Sequence, residues 1–158
     1  MILDVVPSMI TSRMNHQLEA KVIRKEIKVG LFAMEPDKAL GLDGFMPRFL
    51  HVFWHIVKND LQNMVLMSQA YQKIGGSMNS TFLALIPKEK GASDFNKFQP
   101  ISLCNIGYKL ITKVITNLLK GILPNIIPEN QGCFVHGRYI VDNFILVQEA
   151  IHSILQQK

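Results

Sequence analysis

Lys88, Lys90 and Lys97 lie in and beside a glycine-bearing loop that separates two short apolar runs, 82–86 and 100–103. Ammonium groups carried at the end of such a loop can close over a phosphate-bearing ligand. A second loop, EPDKALGLDGF at 35–45, combines Lys38 with Gly41 and Gly44, which permit close backbone approach to an anion. It lacks the GxxxxGK[ST] spacing of a P-loop. His51 and His55 fall four residues apart, so on one helix they could share a metal ion, but no third ligand stands near them. No Ser/His/Asp order and no HExxH appear. Asp37, Asp43, Asp60, Asp94 and Asp142 fall in loops or at expected helix starts, where capping accounts for them. The chemistry on offer is phosphate binding without a catalytic group set.

The elements that would carry these residues follow from apolar spacing. Residues 1–17 form a poorly defined N-terminal segment broken by Pro7. From about Asn15 the pattern is helical, with Ile23, Ile27, Leu31 and Met34 as one stripe flanked by Lys21, Arg24, Lys25 and Lys28. Pro36 ends it. Pro47 opens a helix with Phe49, Phe53 and Ile56 as its buried stripe and Trp54 beside them. Asn59 or Asp60 would cap a further helix that Gly75-Gly76 stops. The two apolar runs at 81–103 predict a β-hairpin, and Ile106, Leu110, Ile111, Val114, Ile115 and Leu118 predict a helix buried on more than one side. Phe144, Val147, Ile151 and Ile154 mark a last helix over 140–155. The fold class is therefore α+β, mostly helical, with one hairpin.

Composition narrows the setting. The 158 residues can bury a real core, yet only 18% are charged, against about 25% in an ordinary soluble domain. Mean hydropathy is +0.17. So apolar a surface points to a packing partner or to a piece of a larger protein. A net charge of +5 favours a polyanionic partner. Cys104 and Cys133 have no metal spacing and sit among apolar residues, which predicts buried reduced thiols and an intracellular setting. No apolar run approaches the ~18 residues of a membrane span, so no membrane partner is expected.

Taken in order, KALGLDGF (38–45), the helix with Phe53-Trp54, TFLALIPK (81–88), FQPISLCNIGYKLITKVITNLLK (98–120), QGCFVHGRYI (131–140) and DNFILVQEAIH (142–152) resemble the N-terminal part of the reverse transcriptase of plant LINE-type, non-long-terminal-repeat retrotransposons. The resemblance covers roughly 18–155. It implies the fingers of a right-hand polymerase and the entry to its palm, with 18–158 as a partial reverse transcriptase domain. It also implies an RNA template and DNA primer as partners, the palm and thumb as intramolecular neighbours, and a nuclear or cytoplasmic location. By that resemblance Lys88 contacts the nucleotide phosphate, and the loop bearing Lys38, Gly41, Asp43 and Gly44 touches template-side nucleic acid. Gln131, Phe134, Gly137 and Arg138 match the segment before the palm, with Arg138 as a backbone-phosphate contact.

The departures set the expected limits. The family places an arginine just before PISL as a triphosphate contact, and this chain has Gln99. Losing a charge-assisted hydrogen bond of about 1.5–3 kcal/mol weakens nucleotide binding roughly ten- to hundred-fold. Leu40 and Leu42 replace the usual prolines, which would loosen the 38–44 loop. Polymerisation also needs Mg2+ held by palm carboxylates. No xADD segment occurs in this sequence, so no catalytic residue and no metal ligand is assigned, and the chain is expected to be inactive alone. The alternative is a non-catalytic nucleic-acid-binding module that retains the basic hairpin.

Overall fold

The computed structural model describes residues 9–129, 131–132, 135 and 137–156. Two compact units emerge, one of Lys21–Ile115 and the other of Met1–Ala20 with Thr116–Lys158.

In the first unit, helix α2 (Arg24–Phe32) is followed by α3 (Pro47–Val52) and α4 (Trp54–Tyr71). A two-stranded antiparallel ribbon of β1 (Thr81–Pro87) and β2 (Phe98–Cys104) comes next, with its register running from Thr81↔Cys104 to Pro87↔Phe98. The long helix α5 (Ile106–Lys120) starts two residues after the ribbon and contributes its first ten residues here. Its seam of Ile106, Leu110, Ile111 and Val114 is buried, with Ile27 and Leu31 of α2, Leu50 of α3, and Leu61 and Val65 of α4. Small residues bring the helices close. A β-carbon on Gly30 would lie 3.2 Å from Val114 Cγ2, and one on Gly107 would lie 3.1 Å from Met64 Sδ. Arg24 ties α2 to α4 through Gln62 Oε1 at 2.7 Å and Asn59 Oδ1 at 2.9 Å.

Within the second unit, α1 (Ser12–Glu19) is capped by Thr11, whose hydroxyl accepts from Met14 N–H. The short turn α6 (Leu123–Ile126) and the helix α7 (Ile140–Gln156) follow the end of α5. Ile122 and Val135 are buried, whereas Phe144, Leu146, Val147, Ile151, Ile154 and Leu155 of α7 are all more than half exposed. No helix among the described residues is long and apolar enough to cross a membrane.

The mostly helical α+β class and the hairpin at 81–103 stand as expected. Several local expectations change. The single helix expected from Asn15 is two helices, because the chain leaves helical geometry at Ala20 and re-enters only after Ile23. Glu26 Oε2 accepts from Ile23 N–H at 2.8 Å and fixes the new start. Asn59 and Asp60 cap nothing: α4 runs unbroken from Trp54, and the break falls at Phe53 instead. It ends at Tyr71, before Gly75-Gly76, with Gln72 taking the left-handed cap at φ 51°. The stripe of Phe49, Phe53 and Ile56 faces outward, Ile56 with 62% of its surface accessible, while Pro47 and Leu50 turn inward. Cys104 is half-buried rather than buried and is a free thiol; Cys133 lies outside the described residues.

Candidate functional site

The ribbon is largely solvent-facing. Apart from half-buried Ala84, every β1 residue is exposed, including Phe82, Leu83, Leu85 and Ile86. Pro100 sits mid-strand opposite Leu85, which a two-stranded ribbon tolerates because each strand has one unpaired edge. Such a ribbon is marginal in isolation, so what braces its two ends matters.

At the tip, Lys88 N–H donates to Lys97 O at 2.8 Å, which extends the pairing past Pro87↔Phe98. The Lys88 ammonium donates to Asn96 O at 3.1 Å, and Lys97 Nζ pairs with Glu89 Oε1 at 2.7 Å. Lys90 is exposed. Gln99 stands opposite Ile86, so strand alternation puts it on the ribbon face that Lys88 continues. Lys88 and Gln99 therefore share one ribbon face. The Lys97–Glu89 pair is exposed and contributes little to stability, so it can be exchanged for a ligand at small cost.

The foot of the ribbon meets the 38–44 loop. Asp43 Oδ2 accepts from the N–H of Ile106, the first residue of α5, at 2.6 Å, and Asp43 Oδ1 accepts from Phe45 N–H at 3.2 Å. The Asp43 N–H donates to Asn105 Oδ1 at 3.0 Å, and Asn105 Nδ2 donates to Ser77 O at 2.9 Å. Asn105 is 6% exposed, a buried polar side chain with donor and acceptor both engaged. A β-carbon on Gly41 would fall 2.5 Å from the Cys104 carbonyl carbon and oxygen. Lys109 Nζ donates to Ala39 O at 2.6 Å. The loop expected to be loosened by Leu40 and Leu42 is therefore tied at several points. Gly44 adopts φ +70° with open space beside it, and Lys38 is exposed.

The Asp37 carboxylate pairs with the Arg48 guanidinium through two hydrogen bonds. That hydrogen bonding holds the Asp37 pKa below its ordinary 3.8, and reciprocally raises that of Arg48. Arg48 lies one residue inside α3, so this exposed pair ties the start of the loop to that helix.

In the second unit, Arg138 is wrapped by backbone carbonyls. Its Nη1 donates to Pro128 O at 2.5 Å and Gln131 O at 3.2 Å, and its Nη2 to Ile127 O at 3.0 Å and Pro124 O at 3.4 Å. Gly137 takes φ +82° and Gln131 is exposed. Phe134 lies outside the described residues.

The histidine pair is not a metal site. His51 and His55 fall on different helices, and His51 donates Nε2–H to Leu31 O at 2.8 Å, satisfying a carbonyl in the last turn of α2, while its ring stacks on Phe32. Among the described residues no group of three His, Cys, Asp or Glu could hold a metal ion. Of the aspartates, Asp43 is a cap for a distant helix, Asp37 serves an ion pair, and Asp60 lies inside α4. Asn105 was not among the expected site residues. Its signal in the sequence is an Asn immediately before an apolar helical run.

No protein-family model matches the chain. Among curated proteins it is similar to the uncharacterized 149 kDa protein of transposon TX1 from Xenopus laevis, 29% identical over 145 residues. The similarity covers 90% of this chain and 11% of that relative, so the chain spans about a ninth of its length. The resemblance is to a transposon-encoded protein.

Proposed function

We propose that this chain is a fingers and palm-entry segment of a non-long-terminal-repeat retrotransposon reverse transcriptase, inactive on its own, that engages a primed RNA template through the lysine-tipped ribbon. One observation carries the reading: the transposon similarity covers 90% of the chain, in which the reverse-transcriptase-like segments follow one another in order. The ribbon with Lys88 and Gln99 on one face, and Lys38 and Gly44 in the neighbouring loop, are the residues this reading assigns to nucleic acid. Gln131, Phe134, Gly137 and Arg138 are assigned to the approach to the palm. Mg2+ belongs to the complete enzyme's chemistry, and the chain contains no xADD carboxylates to hold it.

A fluorescent RNA–DNA hybrid titrated with the chain across a salt series tests the proposal. Binding that weakens steeply with salt is expected, because lysine–phosphate contacts release counterions. Lys88→Ala should reduce the salt slope by about one. Absence of binding at low salt, where such contacts are strongest, overturns it. The second reading, a binding module with no link to polymerisation, is favoured if homopolymer single strands bind as tightly as the hybrid.

A further inference from the structure

We infer that Asp43 and Asn105 are positioning residues that fasten the 38–44 loop to the foot of the ribbon, so that loop and ribbon present themselves to a polyanionic strand as one surface. The part of this that concerns the strand rests on the function proposed above; the mechanical coupling does not.

Asp43 is poorly suited to touch a phosphate backbone, since it carries a negative charge. Both of its carboxylate oxygens are already engaged, one by Phe45 N–H and one by Ile106 N–H at the positive end of α5. Asn105 supplies the return bond to the Asp43 N–H and reaches on to Ser77 O, so one buried amide joins the loop, the 75–79 turn and the ribbon–helix junction. Gly41 closes the arrangement sterically. Its Cα faces the Cys104–Asn105 peptide so closely that no side chain fits between them. Cys104 is the last residue of β2, and Lys109 clamps Ala39 from one turn into α5. A shift of the loop therefore drags the end of β2 and the start of α5 with it.

Two measurements decide the matter. The first is amide hydrogen exchange on the chain alone, comparing the wild type with Asp43→Ala, Asn105→Asp and Lys88→Ala. Asn105→Asp keeps the acceptor for Asp43 N–H but loses the donor to Ser77 O. Coupling predicts that Asp43→Ala and Asn105→Asp speed exchange of loop amides and of β1–β2 foot amides together, by roughly tenfold. Lys88→Ala at the tip should leave both groups unchanged. Faster exchange in the loop without the ribbon foot overturns the inference. Should Asp43→Ala not fold, Lys109→Met, which removes only the exposed clamp on Ala39, carries the same comparison with a smaller expected increase. The second measurement is hybrid binding by Asp43→Ala across a salt series. Positioning predicts affinity lowered about tenfold with an unchanged salt slope. A slope changed by about one marks a direct strand contact and overturns the positioning role. If the wild-type chain binds no hybrid at all, the proposed function fails while the exchange comparison still decides the coupling.

Discussion

Asp43 and Asn105 hold each other across 62 residues of chain: the Asp43 N–H donates to Asn105 Oδ1, and the Asp43 carboxylate caps the helix that begins just after Asn105. The loop thus supplies a cap that α5 does not draw from its own preceding residue. It also explains why a glycine-bearing loop whose Leu40 and Leu42 are exposed is held in place. Its backbone groups and the Asp43 carboxylate, rather than apolar packing, are what the neighbouring elements grip.

The tightness of that grip predicts a hierarchy among glycines. Gly41→Ala places a methyl 2.5 Å from the Cys104 carbonyl and should destabilise by about 1–3 kcal/mol. Gly44→Ala meets no atom but must keep φ +70°, for a cost of about 1–2 kcal/mol. Gly75→Ala has open space and no positive φ, so it should stay within about 0.5 kcal/mol. Urea unfolding of the three variants measures the order.

Core truncation should separate the two sides of α5. Leu110 is fully buried, and Leu110→Ala is expected to cost about 2–5 kcal/mol. Ile115 is half exposed five residues on, and Ile115→Ala should cost under about 1 kcal/mol. Denaturant midpoints at unchanged slope are the readout.

Arg138 should prove irreplaceable by lysine. Two guanidinium nitrogens reach four carbonyls in a planar fork, which a single ammonium cannot span. Arg138→Lys is expected to raise the proteolysis rate within 124–138 nearly as much as Arg138→Ala. Restoration by lysine would show that charge alone matters there.

The Asp37–Arg48 pair gives a pH signature. Because the folded Asp37 pKa lies below the ordinary 3.8, the pair's stabilisation is present above 3.8 and fades as pH falls through the lower folded value. A carbon-detected titration of Asp37 should show a midpoint below 3.8, returning toward it in Arg48→Ala and at high salt. Both side chains are exposed, so the effect on global stability should be small.

The outward face of α7 predicts self-association. Phe144, Val147 and Ile151 are each more than half exposed, and together they make an apolar strip on one helix. Phe144→Lys with Ile151→Glu should lower concentration-dependent sedimentation without lowering the melting temperature, since neither side chain is buried.

Much of the architecture was legible from spacing alone. Two short apolar runs and their punctuation at 81–103 located the ribbon, and the 3.6-residue pattern after Asn105 located α5, because both signals are local. Lys88 and Gln99 could be placed on one ribbon face once the register was known. The pattern misled where apolar residues serve no core. Phe49, Phe53 and Ile56 have helical spacing yet face outward, since periodicity reports that a face is apolar and not whether anything covers it. His51 and His55 have the spacing of one helical face, but the break at Phe53 puts them on different helices, and the His51 ring is engaged by Leu31 O and Phe32.

The sequence by itself determined the helix-rich α+β class, the ribbon with its lysine tip, and the similarity to a transposon-encoded protein. Only the tertiary structure decided the work of the polar residues. Asp43 proved to cap a helix 63 positions away, Asn105 to bridge three segments, and Arg138 to gather four carbonyls. The reason is physical. Apolar burial follows short periodic patterns, whereas a single hydrogen-bonding side chain takes whichever orphaned backbone group folding brings beside it.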